Sequence, residues 1–95
     1  MRITVTKAEI RSAREAFLRN PFSPCPVALA IGSALGLPVA IGSSVYVGDP
    51  AIDPYPPAYP LPPEVAEWIR RFDDNENVKS FSFEFPWPQQ PLPAR

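Results

Sequence analysis

At 95 residues and a formal net charge of −1, the chain has room for one core and no strong field to draw it to nucleic acid or a membrane. With no histidine and a single cysteine, Cys25, it lacks the means for the usual zinc sites, for histidine acid–base chemistry and for an intramolecular disulfide. Proline, at 15 residues, is about three times its average usage and is clustered, which predicts a folded core joined by stiff connectors.

Arg2-Ile3-Thr4-Val5 alternates and is β-branched, a short strand. Thr6-Lys7-Ala8-Glu9 follows as a capping box. The Thr6 hydroxyl can accept the Glu9 amide proton while the Glu9 carboxylate takes that of Thr6. A helix is expected from Lys7 to Arg19, with Ile10, Ala13 and Phe17 as its inward stripe and Asn20-Pro21 as its stop. The charged start, Lys7, Glu9 and Arg11, does not read as a secretory signal.

Ser23-Pro24-Cys25-Pro26 opens a second helix, with Ser23 as its cap and proline in the first turn. Val27 to Ile31 is apolar on every face, so this helix is expected to be buried nearly all round, and Gly36 suits a left-handed cap. The apolar run is too short and too broken by glycine to span a bilayer. Val39-Ala40-Ile41 and Val45-Tyr46-Val47 read as a hairpin about Gly42-Ser43-Ser44. Asp49 to Pro63 holds seven prolines in fifteen residues and is expected to be extended, with polyproline II character.

Leu61-Pro62-Pro63-Glu64 is a helix entry, and Val65, Trp68, Ile69 and Phe72 mark the buried face of a third helix that ends at Asp73-Asp74-Asn75. Phe81, Phe83 and Phe85 alternate with Ser82 and Glu84, a strand with one aromatic face. Pro86 to Pro93 is a stiff tail. The class is α+β, one small domain in the order β-α-α-β-β-α-β. A small, mostly antiparallel sheet packs with three helices, and the first and last strands pair with the hairpin beside them. Residues 1–85 form the domain, with a proline-rich insertion at 49–63, and 86–95 form the tail.

Charge is unevenly placed. Residues 1–48 hold five basic and two acidic groups, +3; residues 49–95 hold four and eight, −4. Each chemically suggestive feature also has a plain structural reading. Cys25 in a first helical turn feels the helix dipole, which lowers a thiol pKa, but neither a base nor a resolving cysteine exists to use it. A core cysteine is therefore expected, alongside Val27, Leu29, Ile31, Trp68, Ile69, Phe72, Phe81 and Phe83. Asp73, Asp74 and Glu76 lack calcium-loop spacing, and the glycine turns lack a P-loop frame. No catalytic residue, metal or cofactor is assigned.

Pro56-Pro57-Ala58-Tyr59 matches the short pattern read by WW modules, although a rigid brace suits it as well. Tyr55, Tyr59 and Trp87 are candidate interface anchors on stiff segments, Trp87 being equally able to fold back on the core. Arg11 and Arg14 are candidate partner contacts on the first helix; the alternative is a solvated face.

Ile3-Thr4-Val5-Thr6, Ser23-Pro24-Cys25-Pro26-Val27-Ala28-Leu29-Ala30, Val45-Tyr46-Val47-Gly48, Leu61-Pro62 with Trp68-Ile69 and Phe72-Asp73, and Phe81-Ser82-Phe83-Glu84 together resemble a group of small bacteriophage and prophage proteins, mostly of unassigned function. The resemblance covers residues 2–85. It departs at Pro24, where members carry an adjacent Ser-Cys-Pro, and at Asp49 to Tyr59, which is longer than in members. It implies a phage-derived protein acting in the bacterial cytoplasm and carries over no catalytic residue.

The expected function is accordingly a non-enzymatic protein that binds and modulates a bacterial host protein or complex, such as a defence system or the transcription machinery. An alternative is an oligomeric sponge for a small ligand or nucleotide, and a third reading is a thiol-dependent enzyme.

Overall fold

A computed structural model describes residues 1–20, 25–49 and 51–87. The chain runs β1 (Arg2–Val5), α1 (Lys7–Arg19), α2 (Pro26–Leu35), β2 (Val39–Ile41), β3 (Ser44–Val47), β4 (Ala58–Pro60), α3 (Pro63–Asp73) and β5 (Phe81–Glu84). This is the expected α+β order, with one further strand, β4, inside the proline segment. Its strands form two antiparallel sheets, β1-β5 and β2-β3-β4, so the hairpin does not join the first and last strands in one sheet.

The first sheet brings together the two ends of the described chain. Ile3 lies opposite Phe83 and Val5 opposite Phe81, so the apolar residues share one face. The other face carries Thr4 and Ser82, whose hydroxyls are 2.9 Å apart, and the Arg2–Glu84 pair. Beyond β5, the Phe85 N–H donates to the Met1 carbonyl at 2.7 Å and extends the pairing by one residue.

α1 begins at the capping box read from its sequence. The Thr6 hydroxyl accepts from the Glu9 N–H at 3.2 Å, and Glu9 Oε1 accepts from the Thr6 N–H at 2.9 Å. The stripe holds for Ile10 and Ala13 but fails at Phe17, which is 49% exposed. The period is right, but among the described residues nothing covers the last turn of the helix, where Leu18 is exposed as well.

α2 is capped by the backbone of Cys25, with Pro26 in the first helical position; Ser23 lies outside the described residues. Gly36 ends it in the left-handed conformation at φ 67°, its N–H donating to the Gly32 carbonyl. The helix touches α1, β1 and β2 and so joins the two sheets. Pro26, Val27, Ala28, Ala30 and Ile31 are buried, whereas Leu29 and Cys25 are only half-buried and Ser33 and Ala34 are exposed. The all-round burial expected of α2 therefore holds for one face and the first two turns.

One core serves both sheets: Ile3, Val5, Val27, Ile31, Val45, Val47, Tyr59, Val65, Phe83 and Phe85 belong to the same buried cluster. Fully burying each such side chain contributes about 1.5–3 kcal/mol. Trp68, Ile69 and Phe81 pack against this cluster half-buried, and Phe72 is buried beneath Arg14.

The segment from Asp49 is not the long polyproline II run expected of it. The Asp49 carbonyl accepts from the Ile52 and Asp53 N–H groups, closing a turn, and the Asp49 and Asp53 carboxylates accept from Ala51 and Tyr55. The chain then enters β4, where Val45 faces Tyr59.

Candidate functional site

An open groove of about 840 Å³ lies where α2, β2 and α3 meet. The head of α2 contributes Cys25 and Ala28, β2 contributes Val39 to Ile41, and Leu61 closes one end. α3 supplies Ala66, Ile69, Arg70 and Asp73, with Asp74 at its C-cap. The volume lies within the range of ligand and peptide clefts.

Each wall follows from local sequence. β2 turns Val39 and Ile41 to the face shared with buried Val47 and Val45. Proline at the first position of α3 and Glu64 in its first turn start that helix, and its spacing sends Val65 and Phe72 inward while Ala66 and Ile69 edge the groove. At the far end, Asn75 turns the chain with φ 60°.

The electrostatics of the groove are carried by one arginine and several carboxylates. Arg70 donates to Glu67 at 2.7 Å and to Asp74 at 2.7 Å, so its charge is matched within its own helix. That hydrogen bond to Arg70 holds the Glu67 carboxyl below its ordinary range. Asp73 is different: among the described residues it makes no ion pair, and burial, then the neighbouring Asp74 charge, pushes its carboxyl up. Burial also raises the Cys25 thiol, against backbone hydrogen bonds from Ala28 and Val27 that lower it. Burial outweighs these backbone contacts at the helix start, the opposite of what activates a first-turn thiol. Among the described residues, no group of histidine, cysteine or acidic side chains is arranged to hold a metal ion.

The residues expected to meet a partner are not gathered in one place. Tyr59 is 4% exposed and belongs to the core, so the Pro56-Pro57-Ala58-Tyr59 pattern cannot be read by a groove-binding module without unfolding β4. Trp87 folds back, half-buried, with its ring 5.6 Å from that of Tyr59. Tyr55 stands apart at 88% exposure, beside exposed Ile52. Arg14 is tied down: its guanidinium donates to Asn75 Oδ1 at 2.8 Å and to the Glu76 carbonyl, and lies 4.5 Å above the Phe72 ring. Arg11 remains on the exposed face of α1.

A second, smaller hollow of about 310 Å³ lies between Arg14, Phe17, Leu18 and Phe72. Sequence reasoning missed the larger groove because its lining comes from four separated stretches, none carrying a motif. The one signal was the Asp73-Asp74 pair at the end of α3, read only as a polar helix end.

Among the described residues no helix is long and apolar enough to cross a membrane. Set against known proteins, the chain matches no family model, no curated protein and no solved structure.

Proposed function

We propose that this chain is a non-enzymatic binding protein that acts by holding a segment of another protein in the groove between α2, β2 and α3. The observation that carries this reading is the groove's composition: a floor of Val39, Ile41, Leu61 and Ile69, with the Asp73 carboxylate, which makes no ion pair among the described residues, at its rim. Apolar walls with a few placed polar groups suit a partner side chain that is itself apolar with a basic neighbour. The resemblance to bacteriophage proteins supports a bacterial protein or complex as that partner and the bacterial cytoplasm as the place of action.

Nucleotide capture is the weaker reading. Arg70 is already matched by Glu67 and Asp74, and Arg14 is engaged by Asn75, Glu76 and Phe72, which leaves Arg11, exposed on α1 and away from the groove lining, to meet a phosphate without them. A nucleotide panel is expected to leave the melting midpoint unmoved, since only a ligand that binds the folded state raises it.

The test compares two baits in bacterial lysate, the natural chain and Ala66→Arg. Ala66 is exposed on α3 at the groove wall, and arginine keeps its helix propensity while projecting a long cation across the cleft. A protein retained in stoichiometric amount by the first bait and lost with the second is the expected result. Equal capture by both, or capture by neither, overturns the groove as the binding face.

A further inference from the structure

Among the described residues, every sheet edge but one carries a feature that discourages pairing with another chain. In β4 the backbone positions facing away from β3 are Pro56, Ala58 and Pro60, because Pro57 is the residue that bonds inward to Val47. Two of these three outward positions are proline and have no N–H to offer. β1 and β5 carry Arg2 and Glu84, charges of the kind that blunt exposed edges.

β2 has neither device. The Gly48 N–H donates to the Pro38 carbonyl and the Gly42 N–H to the Ser44 carbonyl, which fixes the alternation: Ala40 bonds inward to β3, while the N–H and C=O groups of Val39 and Ile41 point away from it. Among the described residues nothing pairs with that outward row, and β2 is the end strand of its sheet. No charged residue occurs in the sequence between Arg19 and Asp49, so the strand carries no gatekeeper charge of its own, and the charged side chains of the adjoining groove, Arg70, Asp73 and Asp74, come from α3 and its cap.

We propose that the occupant of this edge is the β2 strand of a second copy of the chain, paired antiparallel about a two-fold axis at Ala40. The strand is self-complementary in that register. Val39 of each copy lies opposite Ile41 of the other, and both residues exchange N–H and C=O bonds there. Ala40 meets its own counterpart as the close, non-hydrogen-bonded pair, where Cα atoms approach to about 4.5 Å and a small side chain avoids a clash. Two uncharged edges meet without like-charge repulsion, whereas an uncharged edge gives a foreign strand no charge by which to be selected. The joined sheet runs β4-β3-β2-β2-β3-β4. Because directly opposed residues share a face, the grooves of both copies lie on one side of it, flanking the axis. Val39 to Ile41 belong both to this edge and to the groove wall, so a second copy paired here borders the cleft, and the pairing is tested by its own register.

Sedimentation equilibrium of the full chain up to about 100 μM, between the millimolar and micromolar affinity scales, tests the pairing. The natural chain is expected at twice the chain mass and Ala40→Lys at the chain mass, because two lysines would face each other across the axis. Ala40 is exposed, so the variant should keep its far-ultraviolet circular dichroism, and its melting midpoint should match that of the natural chain at concentrations low enough for both to be monomeric. In a Cys25→Ser background, Ala40→Cys is expected to oxidise to a covalent dimer, its Cα separation falling within disulfide reach, while Ala58→Cys at the opposite edge stays monomeric. A natural chain that is monomeric throughout overturns the second copy and leaves the edge to a foreign strand. A dimer that survives Ala40→Lys, or an Ala40→Cys dimer that fails to cross-link, overturns the register.

Discussion

The two sheets share a core but treat solvent differently. The β1-β5 sheet is short, charged at its end and polar on its outer face, with Arg2 facing Glu84 and Thr4 bonded to Ser82. The β2-β3-β4 sheet has no charged residue in any strand, and its outer face shows Ala40, Tyr46 and Ala58. The exposed Arg2–Glu84 pair contributes little to stability, about 0–1 kcal/mol. Its effect is on pairing, because a charge on each strand discourages a further strand at its edge. The uncharged sheet has a proline-guarded edge and an open one. The same core therefore supports one sheet finished within the chain and one left with a free side next to the groove.

That contrast would dissolve if the two sheets were separate folding units, and the largest predicted effect tests this. Phe85 is 1% exposed at the end of the first sheet, with its ring 5.4 Å from Tyr59 of the second. Phe85→Ala is expected to cost about 3–5 kcal/mol, close to the whole stability of a domain this size. Urea denaturation should lose the single cooperative transition of the natural chain. The natural chain itself offers a finer probe. Trp87 contacts Tyr59, and Trp68 lies 4.8 Å from Phe81, so each tryptophan reports on a different sheet. Trp68→Phe and Trp87→Phe, each leaving one tryptophan, are expected to give coincident fluorescence midpoints once each is compared with its own circular dichroism. Distinct transitions within one variant would mean two units and not one core.

Arg14→Met comes next. The guanidinium fastens α1 to the turn after α3, through Asn75, the Glu76 carbonyl and the Phe72 ring. Methionine keeps much of the packing and removes the donors, for an expected loss of about 1–2 kcal/mol. Since α1 reaches the core through Ile10 and Ala13 while Phe17 and Leu18 lie exposed, hydrogen exchange should rise first in its last turn. An unchanged urea midpoint would mean that the contact is incidental.

How much of this was legible in the sequence depended on how local the determinant is. The Thr6–Glu9 box, the Gly36 cap and the alternating phenylalanines each rest on residues within a few positions of one another, and all formed as read. β4 was hidden because a three-residue strand between prolines has no alternation to read; only its pairing with Val45 and Tyr46 makes it a strand. That pairing buries Tyr59 and removes it from the list of surface anchors. Phe17 fails for the opposite reason: its periodicity is sound, but whether anything covers a helix end is decided by the packing of the whole chain. The groove draws on residues from Cys25 to Asp74, and no spacing rule reaches that far.

Thr6→Ala should have a smaller effect, about 1 kcal/mol within a range of about 0.5–2, by leaving the Glu9 N–H without its acceptor. The loss should appear as a lower urea midpoint with an unchanged slope, because the cap stabilises the native helix and leaves the exposed surface on unfolding the same. It sharpens the comparison of the sheets, since Thr6 directly follows β1 and fixes how α1 leaves the finished sheet. A changed slope would point to a cap that shapes the denatured state.

The smallest effect concerns Asp73 at the groove rim, and its sign is the informative part. Burial raises its carboxyl above the ordinary value of 3.8, with the Asp74 charge adding to the rise. A carboxyl raised on folding binds its proton more tightly in the native state, so its stabilising contribution is complete below the unfolded value. It is lost as pH rises through the folded value. Glu67, lowered by Arg70, acts in the other direction: its contribution is present above 4.5 and lost as pH falls. Asp73→Asn should therefore gain stability relative to the natural chain as pH rises from about 3 towards 6, whereas Glu67→Gln should lose it over the same window. Urea midpoints at a series of pH values measure both. A flat difference for Asp73→Asn would mean that the carboxylate is as well solvated in the groove as in the unfolded chain. The rim would then hold no uncompensated charge for a basic partner to neutralise.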